Sequence, residues 1–381
     1  MKKGGATCKS ILLSMMALAF VPRLFAAQDS FLTLDSVVQT NGQLQFNLNG
    51  EDSVTYVIEG SSDLQNWTPV LTNSDQPATR TISVDGSQDF GFYRASRGPL
   101  PLFAAAITAR TNIAMLGNYI LTDSYDSSDT NNFPGGLWNA MHRRDHGDVA
   151  VGTNSIQIGN AGIMGKVWME GGTIAGVGLG PNGSVGDVAF VAGGSVGIES
   201  PFSNFVLTDF RFCLPDVPVP YTSGLPLPFM VTNSYVLSSG QYFYNGDMTI
   251  AATHSIVVTG PAILYVTGSF VMRSGAAITI QTNASLTLVV GGSGTTLTTV
   301  NNAGNALAFQ YYGLPANTNV TLEGTNGIVG VFYAPEAQIG LASGGTTPLD
   351  FSGAIVCGTF FVNGHANVHY DENLARVGPQ R

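Results

Sequence analysis

The sequence predicts an all-β protein whose larger part is a β-solenoid, of the right-handed parallel β-helix type, preceded by a small antiparallel β-sandwich. Three observations predict the solenoid: short apolar runs rich in β-branched residues, tight polar steps that close each run, and regular spacing of those steps. The spacing indicates a coil of about 22 residues, with three strands and three turns. A sandwich or jelly roll, with short strands roughly every 8 to 12 residues, is the alternative.

The clearest repeat lies between residues 255 and 288. Its polar steps fall 8, 7 and 8 residues apart, and the apolar runs between them are too short for a helix. Glycine and asparagine close these steps because they tolerate the left-handed backbone conformation. The steps are Thr259-Gly260, Thr267-Gly268, Ser274-Gly275 and Thr282-Asn283. Upstream, Gly172, Gly183 and Gly194 begin similar triplets 11 residues apart, so two units again make one coil.

The N-terminus, residues 1–27, predicts an export signal. Lys2, Lys3 and Lys9 precede an apolar stretch over residues 11–21, and small residues end it near Ala27. A retained membrane anchor is the alternative, although Pro22 and Arg23 interrupt the stretch. We expect an exported protein, extracellular, on the cell surface or in the periplasm, with no membrane span after cleavage.

Composition supports a β protein punctuated by glycine. Of 381 residues, 47 are glycine and only 10% are charged, and the formal net charge is -10. An acidic surface repels phosphate groups, so nucleic acid and anionic lipid are disfavoured as partners.

The chain beyond the signal divides into three parts. Alternating apolar and polar residues between Asn, Asp and Gly turns predict the sandwich at 28–97. Residues 98–106 are a stiff linker, and the solenoid extends over 107–376. Prolines exclude central strands from an excursion at 201–241.

Several short motifs carry a resemblance to a known family. Residues 121–381 resemble secreted bacterial proteins of unknown function that are related to a domain found beside PilX-type pilus components. The motifs are TDSYDSSD at 122–129, GDVA at 147–150, GPNGSVG at 180–186, FQYYGLP at 309–315, YAP at 333–335, NGH at 363–365 and HYDE at 369–372. EGSSDLQNWT at 59–68 and FYR at 92–94 resemble a small β-sandwich module of exported bacterial proteins. The resemblance implies a surface or envelope setting and a β-helical fold, and it supplies no catalytic residues.

An acidic cluster at the start of the solenoid is the main candidate metal site. Asp123, Asp126, Asp129, Asp145 and Asp148 are separated by small polar residues. Calcium prefers six to eight oxygen ligands, which such a loop can supply. The alternative is a set of Asx-turns that cap the solenoid entrance. No other cofactor is expected.

Other polar residues also have two interpretations each. Cys213 and Cys357 either form a disulfide, which persists in an oxidising compartment, or are separate buried thiols. His365, His369 and Asp371 lie near the end of the periodic region. They either form a polar cap over the last coil or converge on a metal or catalytic site.

Aromatic residues bear on function. Tyr311, Tyr312 and Tyr333 are candidate glycan contacts, whereas Tyr311 and Tyr312 are equally consistent with a core and surface pair on one strand. Because candidate acid and base pairs are few, we expect a non-enzymatic structural or adhesive protein of the cell surface or envelope. A surface polysaccharide or an envelope protein is the expected partner. A secreted polysaccharide-binding or polysaccharide-degrading protein is the alternative.

Overall fold

The computed structural model describes residues 33–40, 43–49, 56–64, 68–73, 79–85, 90–97, 101–208, 214–324, 327–342 and 347–379. The chain divides into two compact units, residues 101–379 and residues 1–100 with 380–381. Strands account for 51% and helices for 8%, which confirms the all-β class. In these ranges no helix has the length and apolarity to cross a membrane. The predicted export signal lies outside the described residues.

The first unit contains two antiparallel sheets of three strands, in the orders β1-β2-β5 and β4-β3-β6. Its strands are Thr33–Thr40 (β1), Gln43–Asn49 (β2), Tyr56–Ser61 (β3), Thr68–Asn73 (β4), Thr79–Asp85 (β5) and Phe92–Arg97 (β6). The rings of Phe46 on β2 and Tyr93 on β6 contact each other at 5.3 Å between centroids. Phe46 and Ile58 are buried, as the alternating pattern predicts.

The second unit contains twenty-five strands in its described residues, in two series. The first series is Ile107–Met115 (β7), Ile120–Tyr125 (β8), Val149–Val151 (β9), Ile156–Gly159 (β10), Gly162–Met164 (β11), Val167–Met169 (β12), Val177–Leu179 (β13), Ser184–Gly186 (β14), Gly197–Ile198 (β15) and Val206–Leu207 (β16). The second series is Ser234–Leu237 (β17), Gly240–Tyr244 (β18), Met248–Ile250 (β19), Ser255–Val258 (β20), Pro261–Val266 (β21), Phe270–Met272 (β22), Ala277–Ile280 (β23), Ser285–Val290 (β24), Gly294–Leu297 (β25), Val300–Asn302 (β26), Phe309–Gly313 (β27), Asn319–Glu323 (β28), Ile328–Ala342 (β29), Leu349–Val362 (β30) and Ala366–Asp371 (β31).

Helices in the second unit are short. The two α-helices are Val188–Ala192 (α1) and Leu374–Val377 (α2). The 3-10 helices are Pro134–Gly136, Ala140–His142, Ile174–Gly176, Phe202–Asn204 and Ala306–Ala308.

Strands of the second series pair in parallel ladders. One ladder is β17-β20-β23-β26, a second joins β18, β21, β24, β27 and β29, and a third joins β19, β22, β25, β28 and β29. Ile256 pairs with Ile278, and Ile278 pairs with Val300, so partners lie 22 residues apart. The ladder register therefore equals the spacing that the sequence repeats predict.

Turns between the ladders use the predicted residues. Gly275 and Asn283, which close two of the predicted polar steps, have φ of 88° and 63°. Only glycine and a few short polar residues adopt this left-handed conformation readily. Side chains at alternate strand positions, such as Ile278 and Ile280, are fully buried between the ladders. The interior is widest around Phe332, whose ring packs against Phe309, Tyr311 and Phe351.

The spatial order of the two series differs from their order in the sequence. The last strands of the second series, β30 and β31, pair in parallel with the first strands of the first series, β7 and β8. The first series then continues outward to β15 and β16. The two ends of this unit meet, because the Leu102 amide donates a hydrogen bond to the Pro379 carbonyl at 2.8 Å.

A proline-rich segment connects the two series along the outside of the sheet. The Tyr333 hydroxyl donates to the Pro215 carbonyl, and the Tyr221 hydroxyl donates to the carbonyls of Tyr242 and Ile263. Strand pairing resumes at Ser234, earlier than the predicted end of the excursion at residue 241. The reason is that the last proline of this segment is Pro228.

Candidate functional site

The polar side chains singled out by sequence meet where the two series join. Strand β31 lies between β30 and β8, and the pairing sets His369 opposite Asp123 and Asp371 opposite Tyr125. This position corrects the expected cap at His365, His369 and Asp371. Because β31 has a parallel neighbour on each side, the segment lies inside the sheet and covers no open end.

His369 is the most buried ionisable group at this junction, with 1% of its side chain exposed. Its Nδ1 lies 2.6 Å from Asp123 Oδ1, and its Nε2 lies 3.6 Å from Asp350 Oδ1. The Trp138 ring stacks on the imidazole at 3.7 Å between centroids. Burial opposes the charged form, but the two carboxylates outweigh it and raise the pKa of His369. The same contact lowers the pKa of Asp350.

Arg144 joins three carboxylates from both ends of the unit. Its guanidinium lies 2.9 Å from Glu372, 2.9 Å from Asp129 and 3.6 Å from Asp126. Arg376, on α2, also binds Asp126. These contacts connect the loop after β8 with the C-terminal segment, some 230 to 250 residues apart in sequence.

Glu372 and His146 form a second histidine pair. His146 Nδ1 lies 3.2 Å from Glu372 Oε1, which also accepts a hydrogen bond from the Ser124 hydroxyl at 2.8 Å. The hydrogen bond to Glu372 raises the pKa of His146 to about 8. Burial alone would raise the pKa of Glu372, but its bonds to His146 and Ser124 and the charge of Arg144 lower it to about 2.

We call these residues the ion-pair cluster. Its members are Asp123, Asp126, Asp129, Arg143, Arg144, His146, Asp350, His369, Glu372 and Arg376. Cationic groups bind each of its carboxylates. The cluster is therefore arranged as a set of mutually neutralised ion pairs rather than as an open acid and base pair.

The predicted calcium ligands do not form a cation site in this structure. Asp126 and Asp129 bind arginines, and Asp123 binds His369. Asp148 accepts a hydrogen bond from the Lys166 amide at 2.6 Å, and Asp145 is half-buried near His146. Within the described ranges, no group of three or more His, Cys, Asp or Glu side chains is placed to hold a metal ion.

The three candidate glycan-binding tyrosines have separate roles. Tyr311 is fully buried, and its hydroxyl contacts the Thr295 hydroxyl at 2.7 Å and donates to Asn317 at 2.9 Å. Tyr333 is buried under Pro215. Tyr312 is half-buried on the opposite face from Tyr311. Tyr311 and Tyr312 are thus a core and surface pair, and Tyr311 and Tyr333 are closed to a glycan.

The predicted cysteine pair is described only in part. Cys357 is buried, it forms no disulfide with any described residue, and burial raises the pKa of its thiol. Cys213 lies outside the described residues.

Sequence reasoning missed Trp138, Asp350 and the arginines of the cluster. Alternation along residues 369–371 did place His369 and Asp371 on one strand face. Nothing local in the sequence indicated that this strand lies beside β8, so the ion pairs could not be inferred.

The comparisons with known proteins concern the second series of strands. A domain of unknown function, DUF7305, matches residues 224–377. The match is to an uncharacterised domain, in agreement with the expected relation to a family of unknown function. No curated protein and no solved structure matches the chain significantly.

Proposed function

We propose that residues 101–379 form a right-handed β-solenoid, which acts as an exported, non-enzymatic structural or adhesive protein of the cell surface or envelope. The preceding unit is proposed to be a small β-sandwich that positions the solenoid or binds its partner.

The observation that carries the proposal is the 22-residue register of the parallel ladders. Residues of similar type stack on one another, as in the row Tyr242, Leu264, Leu288 and Tyr311. Each passage of the chain buries the apolar side chains of the next, which is how solenoids obtain stability from neighbouring repeats. Crossovers between parallel strands are right-handed in nearly all proteins, which favours that hand here.

The ion-pair cluster supports a structural role for the polar residues. A catalytic histidine must reach a substrate proton, whereas the His369 side chain is 1% exposed and lies between two aspartates under Trp138. Its partners come from β8, β30 and β31. We infer that the cluster fastens the C-terminal strand to the first series and maintains the join between the two halves.

Export rests on the sequence pattern of residues 1–27, and the envelope setting rests on the family resemblance. Both are tested by labelling intact producing cells with an impermeant reagent and a purified antibody. We expect the protein to be labelled at the surface or after opening of the periplasm, and an exclusively cytoplasmic location would refute this part of the proposal.

Activity is tested on the purified protein with a glycan array and a reducing-end assay on common polysaccharides. Binding without release of reducing ends supports an adhesive role. Release that is lost on a single substitution in the described unit would refute the non-enzymatic proposal.

A further inference from the structure

The segment over residues 224–233 covers one end of the sheet in the second unit. Leu225 bonds to the free edge of β18: its amide donates to the Gln241 carbonyl, and its carbonyl accepts from Phe243. Val231 pairs with Ser234 at the start of β17 through two backbone hydrogen bonds of 2.9 Å. Leu227 packs against the core. We call this segment the end layer.

The outer side of the end layer is apolar. Phe229 is 98% exposed, Val231 64% and Leu225 52%, and Met230 beside them is also exposed. Repeat proteins normally require a terminal layer with a polar outer face to stay soluble. A contiguous apolar end is therefore a surface that another molecule covers.

The end layer is held in a defined conformation. Thr232 and Asn233 both have positive φ, 48° and 63°, and together with the paired Val231 and Ser234 they form a two-residue hairpin. A β-branched residue such as Thr232 rarely adopts positive φ, and such strain is found where a surface is pre-organised for binding. The hairpin holds Phe229 to Val231 against the end of the sheet.

Charge indicates what covers this surface. No Asp, Glu, Lys, Arg or His occurs among the thirty residues 217–246, whereas the whole chain has a net charge of -10. Two copies of an acidic protein repel each other over most of their surface, so a contact between copies requires an uncharged region. The opposite end of the sheet contains the carboxylates of Asp187 and Glu199, whose burial in a head-to-tail contact would cost free energy.

We propose that the end layer is a self-association surface, through which two copies of this chain meet end to end about a two-fold axis. The contact buries Phe229, Met230 and Val231 of each copy. Pro226 and Pro228 lack amide protons, so the sheet is not extended by further strands and the assembly closes as a dimer. This inference depends on the described pairing of the end layer and not on the proposed cellular role.

The first test measures the mass of the purified full-length protein by light scattering and analytical ultracentrifugation, up to about 100 μM, well above the dissociation constants of standard interfaces. We expect a dimer. Phe229→Glu should weaken dimerisation at least ~100-fold, because the two-fold axis introduces the charge twice into an apolar contact. The matched control is Met141→Glu, at a residue that is apolar, 83% exposed and far along the chain, which should leave the dimer unchanged.

Both substituted side chains are exposed, so both variants should fold, and circular dichroism checks this. A monomeric wild-type protein would overturn the proposal, as would a dimer that survives Phe229→Glu. In a second measurement, Phe229→Cys should form an intermolecular disulfide on mild oxidation, and Met141→Cys should not. Open-ended oligomers, or no crosslink through position 229, would overturn the two-fold arrangement.

Discussion

Replacing Glu372 with Gln removes one charge from the centre of the ion-pair cluster while keeping the size of the side chain. Glu372 is 11% exposed and binds Arg144, His146 and Ser124. Its pKa is lowered from the ordinary 4.5 to about 2, a difference equivalent to about 3 kcal/mol of stabilisation at neutral pH. Because Gln still accepts the Ser124 hydrogen bond, we expect the free energy of unfolding to fall by about 2 to 3 kcal/mol.

The pH dependence gives a sharper test than the size of the loss. The folded pKa of Glu372 is depressed, so its contribution is present above pH 4.5 and is lost as pH falls from 4.5 toward 2. The folded pKa of His146 is raised, so its contribution is present below pH 6.5 and is lost as pH rises from 6.5 to about 8. The variant should therefore differ most from the wild type between about pH 5 and 6.5.

Urea unfolding followed by tryptophan fluorescence measures this difference, because Trp138 stacks on His369 within the cluster region. The control is Glu323→Gln, at an exposed carboxyl on β28. If Glu372→Gln is within about 0.5 kcal/mol of the wild type near pH 6, or if the control loses as much, the cluster does not stabilise the join.

Three further substitutions test the interior and the histidine pair. Tyr311→Phe leaves buried hydroxyl and amide partners unsatisfied and should cost about 1 to 3 kcal/mol in urea unfolding, whereas Tyr312→Phe should cost less than about 0.5; equal losses would contradict the core and surface assignment. Phe332→Ala opens a cavity among packed aromatic rings and should cost about 3 to 5 kcal/mol, and a loss under 1 would show that this interior is not packed as described. His369→Gln leaves the carboxylate of Asp123 buried without a cation and should cost about 3 to 5 kcal/mol, most of it restored by adding Asp123→Asn; no rescue would contradict the ion pair.

The repeats predicted local structure well because their cause is local. The conformations of Gly275 and Asn283 follow from which residues tolerate positive φ. The register of 22 follows because each residue that faces the interior must lie over another of the same kind, as Ile256 lies over Ile278. The same alternation separated Tyr311 from Tyr312.

The acidic cluster was interpreted less well because its charges are neutralised from a distance. Asp123, Asp126 and Asp129 are close in sequence and suggested shared oxygen ligands for one cation. In the folded protein their partners are His369, Arg376 and Arg144, and two of those partners lie about 250 residues away. Guanidinium and imidazolium groups take the place that a metal would occupy.

The sequence by itself determined the strand length, the turn positions, the coil spacing and the acidic character of this protein, because each depends on a few neighbouring residues. Only the tertiary structure decided that the second series of strands precedes the first in space. That order depends on which free sheet edges meet, and any parallel edge of matching register satisfies the same local pattern. The pairing of β31 with β8 made that choice, and it placed His369 in the interior of the sheet and left the end layer at the exposed end.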